Sequence, residues 1–269
     1  MILALLLQRK IEVLCGGRRF ELEQPENAGY HIEFNVPFNE KAEPDIAEII
    51  IYNLSPATRE IFAEGERIIV NAGYGSDVGT IFAGKVVATL NRMNGPDILT
   101  IIEAGDGASE YKNAYVSASF IPGTNASTII SRLLQGFGLS AGRVVLKNDI
   151  IYSNGKSVQG GLLAELKKIV ADCESKIYTN NGLIYILPVG QGQEQVFVLN
   201  SASGLVDSPI INKDEEYDGY MVQMLLNPKV TIDSKVKIES KFVNGLYRVV
   251  KGRHIGEEFI TEVVVVDAT

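Results

Sequence analysis

The chain has no tryptophan, two histidines and two cysteines among 269 residues, and each shortage removes a class of chemistry. No Cys-x-x-Cys pair occurs, so a cysteine-based zinc site has no ligand set. Cys15 and Cys173 sit in apolar patterns, which predicts buried free thiols in a reducing compartment and no disulfide. His254-Ile255-Gly256-Glu257-Glu258 lacks the second histidine one helical turn away that a zinc protease needs, so His254, like His31, reads as a strand-end residue. There is no Gly-x-Ser-x-Gly elbow. Gly73-Tyr74-Gly75 with Gly79 has the wrong spacing for a dinucleotide loop and no helix after it, and reads as a hairpin turn. Asp106, flanked by two glycines, reads as a turn residue and not an acid catalyst. Asp214, Glu215, Glu216 and Asp218 lack the spaced loop and distal glutamate of a Ca²⁺ site, and read as a solvated loop. No catalytic, cofactor-binding or metal-ligating residue is assigned.

Basic residues are also in deficit: 25 against 33 acidic ones, a net charge of -8. Phosphate binding needs clustered Lys and Arg, so sequence-specific nucleic-acid binding is not expected. Long apolar runs are missing too. Met1-Ile2-Leu3-Ala4-Leu5-Leu6-Leu7 is far short of the roughly 20 residues that cross a bilayer, and Arg9 and Lys10 follow it. It reads as part of a first strand running towards Leu14, with no membrane insertion.

What is present is β-pattern. In Ile46-Ala47-Glu48-Ile49-Ile50-Ile51-Tyr52 the alternation puts Ile46, Glu48, Ile50 and Tyr52 on one face and Ala47, Ile49 and Ile51 on the other. Apolar groups on both faces predict cover on both, or nearly so. Asn53-Leu54-Ser55-Pro56 then stops the strand: Pro56 suits a first helical position and Ser55 caps the turn to Phe62, with Ala57, Ile61 and Phe62 on one side. Far down the chain Gln223-Met224-Leu225-Leu226-Asn227-Pro228 repeats the apolar strand, Leu, small polar residue and Pro. Each proline leads to a β-rich run (Arg67–Val70; Lys235–Ile238), a Gly-bearing turn and another strand (Ile81–Val87; Leu246–Gly252). This order predicts an internal duplication.

Tyr30–Val36 alternates as a strand, and Pro37–Pro44 reads as a loop. The middle changes character. Thr124 or Asn125 caps a helix whose stripe is Ile129, Ile130, Leu133, Leu134 and Phe137, and a second helix starts near Ser157 and runs to Cys173. Asn180-Asn181-Gly182 joins two strands as a hairpin, and Asn212–Gly219 reads as an acidic loop. The fold expected is mainly β with a smaller α+β part: two similar small antiparallel β-barrels, 1–107 and 193–269, separated by a helix–helix–hairpin domain, 108–192.

Several of these stretches together resemble the phage tail baseplate hub proteins. In the first half they are Ile49–Arg59, Ala72-Gly73-Tyr74, Ile81-Phe82-Ala83-Gly84 and Asp106-Gly107. In the second they are Tyr178 with Asn181–Ile186, Gly204–Pro209, Leu225–Pro228, Gly245–Val249 and His254. The likeness spans nearly the whole chain in one order. Thr231-Ile232-Asp233-Ser234 departs from it, standing where a Pro-Gly turn is expected. The resemblance implies a structural, non-enzymatic hub of a contractile tail, from a phage or prophage, made in the bacterial host cytoplasm and residing in the virion baseplate. It implies no cofactor and a homotrimer that joins the sixfold tail tube to the threefold spike, with the tail spike, tail tube and tape-measure proteins as partners. The alternatives are a tail-associated cell-wall hydrolase, for which no carboxylate or zinc constellation is visible, and a carbohydrate-binding β-module, which usually exposes more aromatics.

Overall fold

The computed structural model describes residues 8–22, 29–41, 45–105, 114–136, 140–190, 195–213 and 216–268. The expectations for Met1–Leu7, Asp106, Phe137, Asp214 and Glu215 fall outside them. The strands are β1 (Arg9–Cys15), β2 (Arg18–Glu21), β3 (Ile32–Asn39), β4 (Ile46–Tyr52), β5 (Arg67–Tyr74), β6 (Asp77–Asn94), β7 (Asp97–Gly105), β8 (Tyr115–Phe120), β9 (Thr124–Asn125) and β10 (Ala141–Val144). They continue with β11 (Ile151–Tyr152), β12 (Lys156–Gly161), β13 (Ser175–Asn180), β14 (Leu183–Pro188), β15 (Val196–Leu199), β16 (Ile210–Lys213), β17 (Asp218–Leu225), β18 (Lys235–Glu239), β19 (Asn244–Ile255) and β20 (Ile260–Asp267). The helices among the described residues are α1 (Pro56–Arg59), α2 (Ala126–Gly136) and α3 (Leu162–Asp172). The protein is thus mainly β, with a large sheet that is antiparallel except for one pair.

Two compact units divide the chain: Met1–Asn39, Asp45–Asp106 and Gly192–Thr269 form one, Glu40–Pro44 and Gly107–Gln191 the other. The first unit is a 13-stranded sheet with the order β16-β17-β20-β19-β3-β4-β7-β6-β5-β1-β2, while β18 pairs with β19 and carries β15. Within it one pattern occurs twice. β4 pairs with β7, β7 with β6 and β6 with β5, all antiparallel. β17 pairs with β20, β20 with β19 and β19 with β18 in the same way. Each copy carries a bulge at the same place in its long third strand, between Val86 and Ala88 in β6 and between Val249 and Lys251 in β19. The copies differ at one end: β1 runs antiparallel to β5, whereas β15 runs parallel to β18.

In β4 the alternation holds. Ala47, Ile49 and Ile51 are fully buried, and the opposite face is not. Cover on both faces is therefore corrected for β4: one face is packed, Ile50 and Tyr52 on the other are half-buried, and Ile46 and Glu48 stay exposed. Ser55 Oγ accepts from the Thr58 N–H at 3.2 Å, so α1 begins where Ser55-Pro56 predicts. Phe62 is buried against Phe20, whereas Ala57 lies out in solvent. Pro37 does not open a loop; β3 runs on to Asn39, because β19 provides it a partner there. The acidic loop is also shorter than expected, since β16 reaches Lys213 and β17 begins at Asp218.

Thr231–Ser234 forms a tight turn without Pro-Gly. Asp233 takes the left-handed conformation itself (φ 64), a strain that Asp tolerates better than most residues. Its N–H donates to the Val249 carbonyl at 3.0 Å, and its buried carboxylate accepts from Arg248 Nη1 at 2.9 Å. The departure from the expected turn thus brings in an anchor to β19.

In the second unit α2 and α3 pack their apolar stripes into one core (Ile129, Ile130, Leu133, Leu134, Leu166, Ile169, Val170). The Asn181-Gly182 hairpin is present, both residues having positive φ. One boundary moves. α3 starts at Leu162 and not near Ser157, because Lys156–Gly161 pairs with β8 as a strand. The α2 entry is capped from a distance: Asp149 accepts from the Ser127 N–H at 2.9 Å and from Ser127 Oγ at 2.6 Å. Burial raises the Asp149 pKa, but the bonds from Ser127 and Asn125 outweigh it and leave the carboxyl below its ordinary value.

Candidate docking edges

Among the described residues no group of three or more His, Cys, Asp or Glu is placed to hold a metal. One open cleft of about 270 Å³ lies over β3, β4 and the β19–β20 turn, lined by Glu33, Glu48, Arg253, Glu257 and Glu258 among others. Glu33 in it is already engaged by the Tyr52 hydroxyl (3.0 Å) and by His31 Nε2 (2.9 Å). Nothing there pairs a nucleophile with a base. Cys15 is buried, and burial, with Glu66 nearby, pushes its thiol up to about 11, so it is a poor nucleophile at neutral pH. Cys173 is buried and free as well.

The informative geometry is in the two long strands. Beyond its bulge, β19 is paired on both sides: Lys251–Ile255 meets β20 on one edge and Asn39–Asn35 of β3 on the other. Beyond its bulge, β6 pairs with β7 only, among the described residues. The two segments are built alike. His254 Nδ1 lies 2.9 Å from Thr261 Oγ1 across β19–β20, and Asn91 Oδ1 accepts from Thr100 Oγ1 at 3.0 Å across β6–β7. Both threonines are fully buried. Yet His254 is buried beneath Phe38, 5.0 Å between ring centres, and Asn91 is exposed. Leu90 (60%) and Met93 (74%) stand beside it in solvent.

At the other end of the sheet, β16 occupies on β17 the place that β3 occupies on β4. β3 is covered by β19; among the described residues β16 has no strand on its outer edge, and Ile210 and Ile211 are exposed. A strand edge with apolar side chains and unmet N–H and C=O groups is a template for another strand. Sequence reasoning missed both edges. The turn at Asn94–Asp97 does mark a strand ending at Asn94, but not that its edge is bare, and Ile210 and Ile211 were given no strand; the isoleucine pair before the acidic stretch was the available signal.

His254 lies at the end of β19, one residue before its last, as the sequence predicts. The Asn227 N–H donates to Thr261 Oγ1 at 3.0 Å, leaving the threonine proton for His254 Nδ1 and holding the ring neutral. Burial pushes its pKa down to about 3. The unfolded chain then binds a proton near pH 6.5 that the folded chain refuses, so stability is full above that pH and falls as pH drops below it. From pH 7 to pH 5 this one group is expected to remove about 2 kcal/mol. Denaturation curves at the two pH values check this. His254→Asn, which installs the residue found at position 91, should flatten that part of the dependence.

Among the described residues the geometry is thus a duplicated β-module with two bare strand edges, and no metal-holding cluster lies beside them. The Baseplate hub gp41 family model matches residues 32–253, and the chain belongs to that family of phage tail baseplate hub proteins, which are structural and not catalytic. Solved structures agree in fold. The 43 kDa tail protein of prophage MuSo2 from Shewanella oneidensis is similar with a TM-score of 0.70 at 9% identity, 97% of each chain being covered. The tail protein from Neisseria meningitidis gives 0.69 at 9% identity over 96% of each chain. An E. coli component of the type VI secretion system, described as similar to the T4 tail proteins gp27 and gp5, gives 0.62 at 7% identity over 91% of this chain and 76% of its own. No curated protein matches in sequence.

Proposed function

We propose that three copies of this chain close a ring that joins the sixfold tail tube to the threefold spike of a contractile tail. The observation that carries this is the duplication: β4-β7-β6-β5 and β17-β20-β19-β18 share strand order, direction and bulge. Two such modules in each of three chains present six similar docking surfaces on one side while keeping true threefold symmetry for the other. Each half, 1–107 and 193–269, is read as a small barrel, with 108–192 as the α+β insert between them. In support, Leu22 beyond β2 bridges Tyr30 ahead of β3, so the series β3-β4-β7-β6-β5-β1-β2 returns towards its start.

The open face of β3, β4 and β7 carries Glu33, Glu48 and Glu103, with Glu48 directly opposite Glu103. Like charges paired across strands cost stability, and a wall that must pass DNA without holding it gives them a use. The spike, the tail tube and the tape measure are the partners in this reading, and the virion baseplate is the location. Light scattering on the purified chain is expected to give three times 29.3 kDa at high concentration. A stable dimer or tetramer would overturn the ring.

A further inference from the structure

We propose that the exposed edge of β6 in one copy pairs, antiparallel, with the exposed edge of β16 in the next, reproducing between chains the β19–β3 joint already made within each chain. This rests on the three-copy ring above, closed head to tail, and names the contact that closes it. The register follows from equivalences in the sheet. Glu103 faces Ala88 and Glu48, Glu48 faces Asn35, while Val264 faces Lys251 and Met221, and Met221 faces Ile210. Ile210 and Ile211 therefore stand where Asn35 and Val36 stand, and Asn91 and Arg92 stand where His254 and Ile255 stand. Within the chain, His254 is opposite Val36 and Ile255 opposite Asn35. Between chains, Asn91 falls opposite Ile211, Arg92 opposite Ile210 and Leu90 opposite Asn212.

Two independent features agree. The first is exposure: Val36, opposite His254 in the internal joint, is buried in the core, whereas its counterpart Ile211 is 64% exposed, and Asn91 is open where His254 is closed. The uncovered apolar residues lie at the places that the internal joint fills. The second is a contact on the flank of the same joint. The β5–β6 hairpin rests on the second module, where a β-carbon on Gly79 would lie 3.1 Å from Pro228 and Lys229 Nζ bonds Asp77 at 2.6 Å. The matching hairpin, β18–β19, ends in Phe242, which is 73% exposed. The same operation carries Phe242 to the Ser55-Pro56 turn of the neighbouring copy, giving an exposed aromatic a seat.

Cysteine cross-linking tests the joint. Residues directly opposite in an antiparallel pair have Cα atoms roughly 4.5–5.5 Å apart, within the span of a disulfide. The full-length double variant Asn91→Cys with Ile211→Cys carries half a joint at each end. Oxidation is expected to convert most of it to a covalent ladder ending at three chains. Mixing the two single variants should give dimers and nothing larger. The parent chain and the out-of-register pair Val78→Cys with Ile211→Cys should give no cross-link. Absence of the ladder overturns the joint. If scattering on the parent chain then still gives three chains, the ring stands with a different contact; a mass of one or two chains removes both. Ile211→Cys dimerising with itself would mean like edges meet, which also removes the head-to-tail ring. Equal cross-linking of the out-of-register pair overturns the register.

Discussion

Replacing Asp233 with alanine is expected to cost the first unit about 3–5 kcal/mol, the usual penalty for stranding one partner of a buried ion pair. Asp233 is fully buried, and the Arg248 guanidinium that it meets at 2.9 Å is nearly so. Losing the carboxylate leaves a cation in an apolar strand between Val249 and Tyr247, with its best acceptor gone. The backbone does not compensate, because alanine is no happier than aspartate at a φ of 64. Asp233→Gly separates the two effects: it relieves the backbone but strands Arg248 equally, and should lose slightly less. The double change Asp233→Gly with Arg248→Met removes both charges and is expected to recover most of the loss. Urea denaturation of the four proteins at neutral pH measures this. A single-variant loss below about 1 kcal/mol would mean that solvent reaches Arg248 freely.

Truncating Phe259 to alanine is expected to cost a comparable 3–5 kcal/mol, and to loosen both modules at once. Phe259 belongs to the β19–β20 turn of the second module, but its fully buried ring lies in the core of the first. It meets Tyr74 edge-on at 4.9 Å and Phe34 at 6.4 Å, and the Arg9 guanidinium sits 5.3 Å above it. Its carbonyl accepts from the Tyr74 hydroxyl at 3.0 Å and from the Leu226 N–H at 3.1 Å. The backbone there is strained for either residue (φ 60), so the change reports the ring and not the turn. Hydrogen exchange should show protection falling together in β5 and β17. Loss confined to β19 and β20 would show that the ring seals only its own turn.

Where local pattern carries the information, the chain could be read directly. Period-two alternation in Ile46–Tyr52 sorted the residues of β4 onto its two faces, because adjacent side chains on a strand must point opposite ways, but it did not tell that only one face is buried. Ser55-Pro56 marked a capped turn, because the serine hydroxyl can accept from a first-turn N–H, and Asn181-Gly182 a hairpin, because few residues tolerate positive φ. The apolar stripe from Ile129 to Leu134 marked a helix and its core face. Even the duplication was legible as a repeated order of strand, Leu-x-Pro and turn. Tertiary structure alone decided which strand lies beside which. Ser157-Val158 reads equally as a helix start, and only β8 alongside makes it a strand. Asn125 and Thr124 looked like caps, yet the carboxylate on the Ser127 N–H comes from Asp149, 22 residues on. His254 and Asn91 sit in equivalent strands, and nothing near either residue tells that β3 buries one and leaves the other bare. That difference is a matter of pairing between segments more than 200 residues apart. Local periodicity sets the face a side chain takes, but the partner of a strand edge is chosen by the whole sheet.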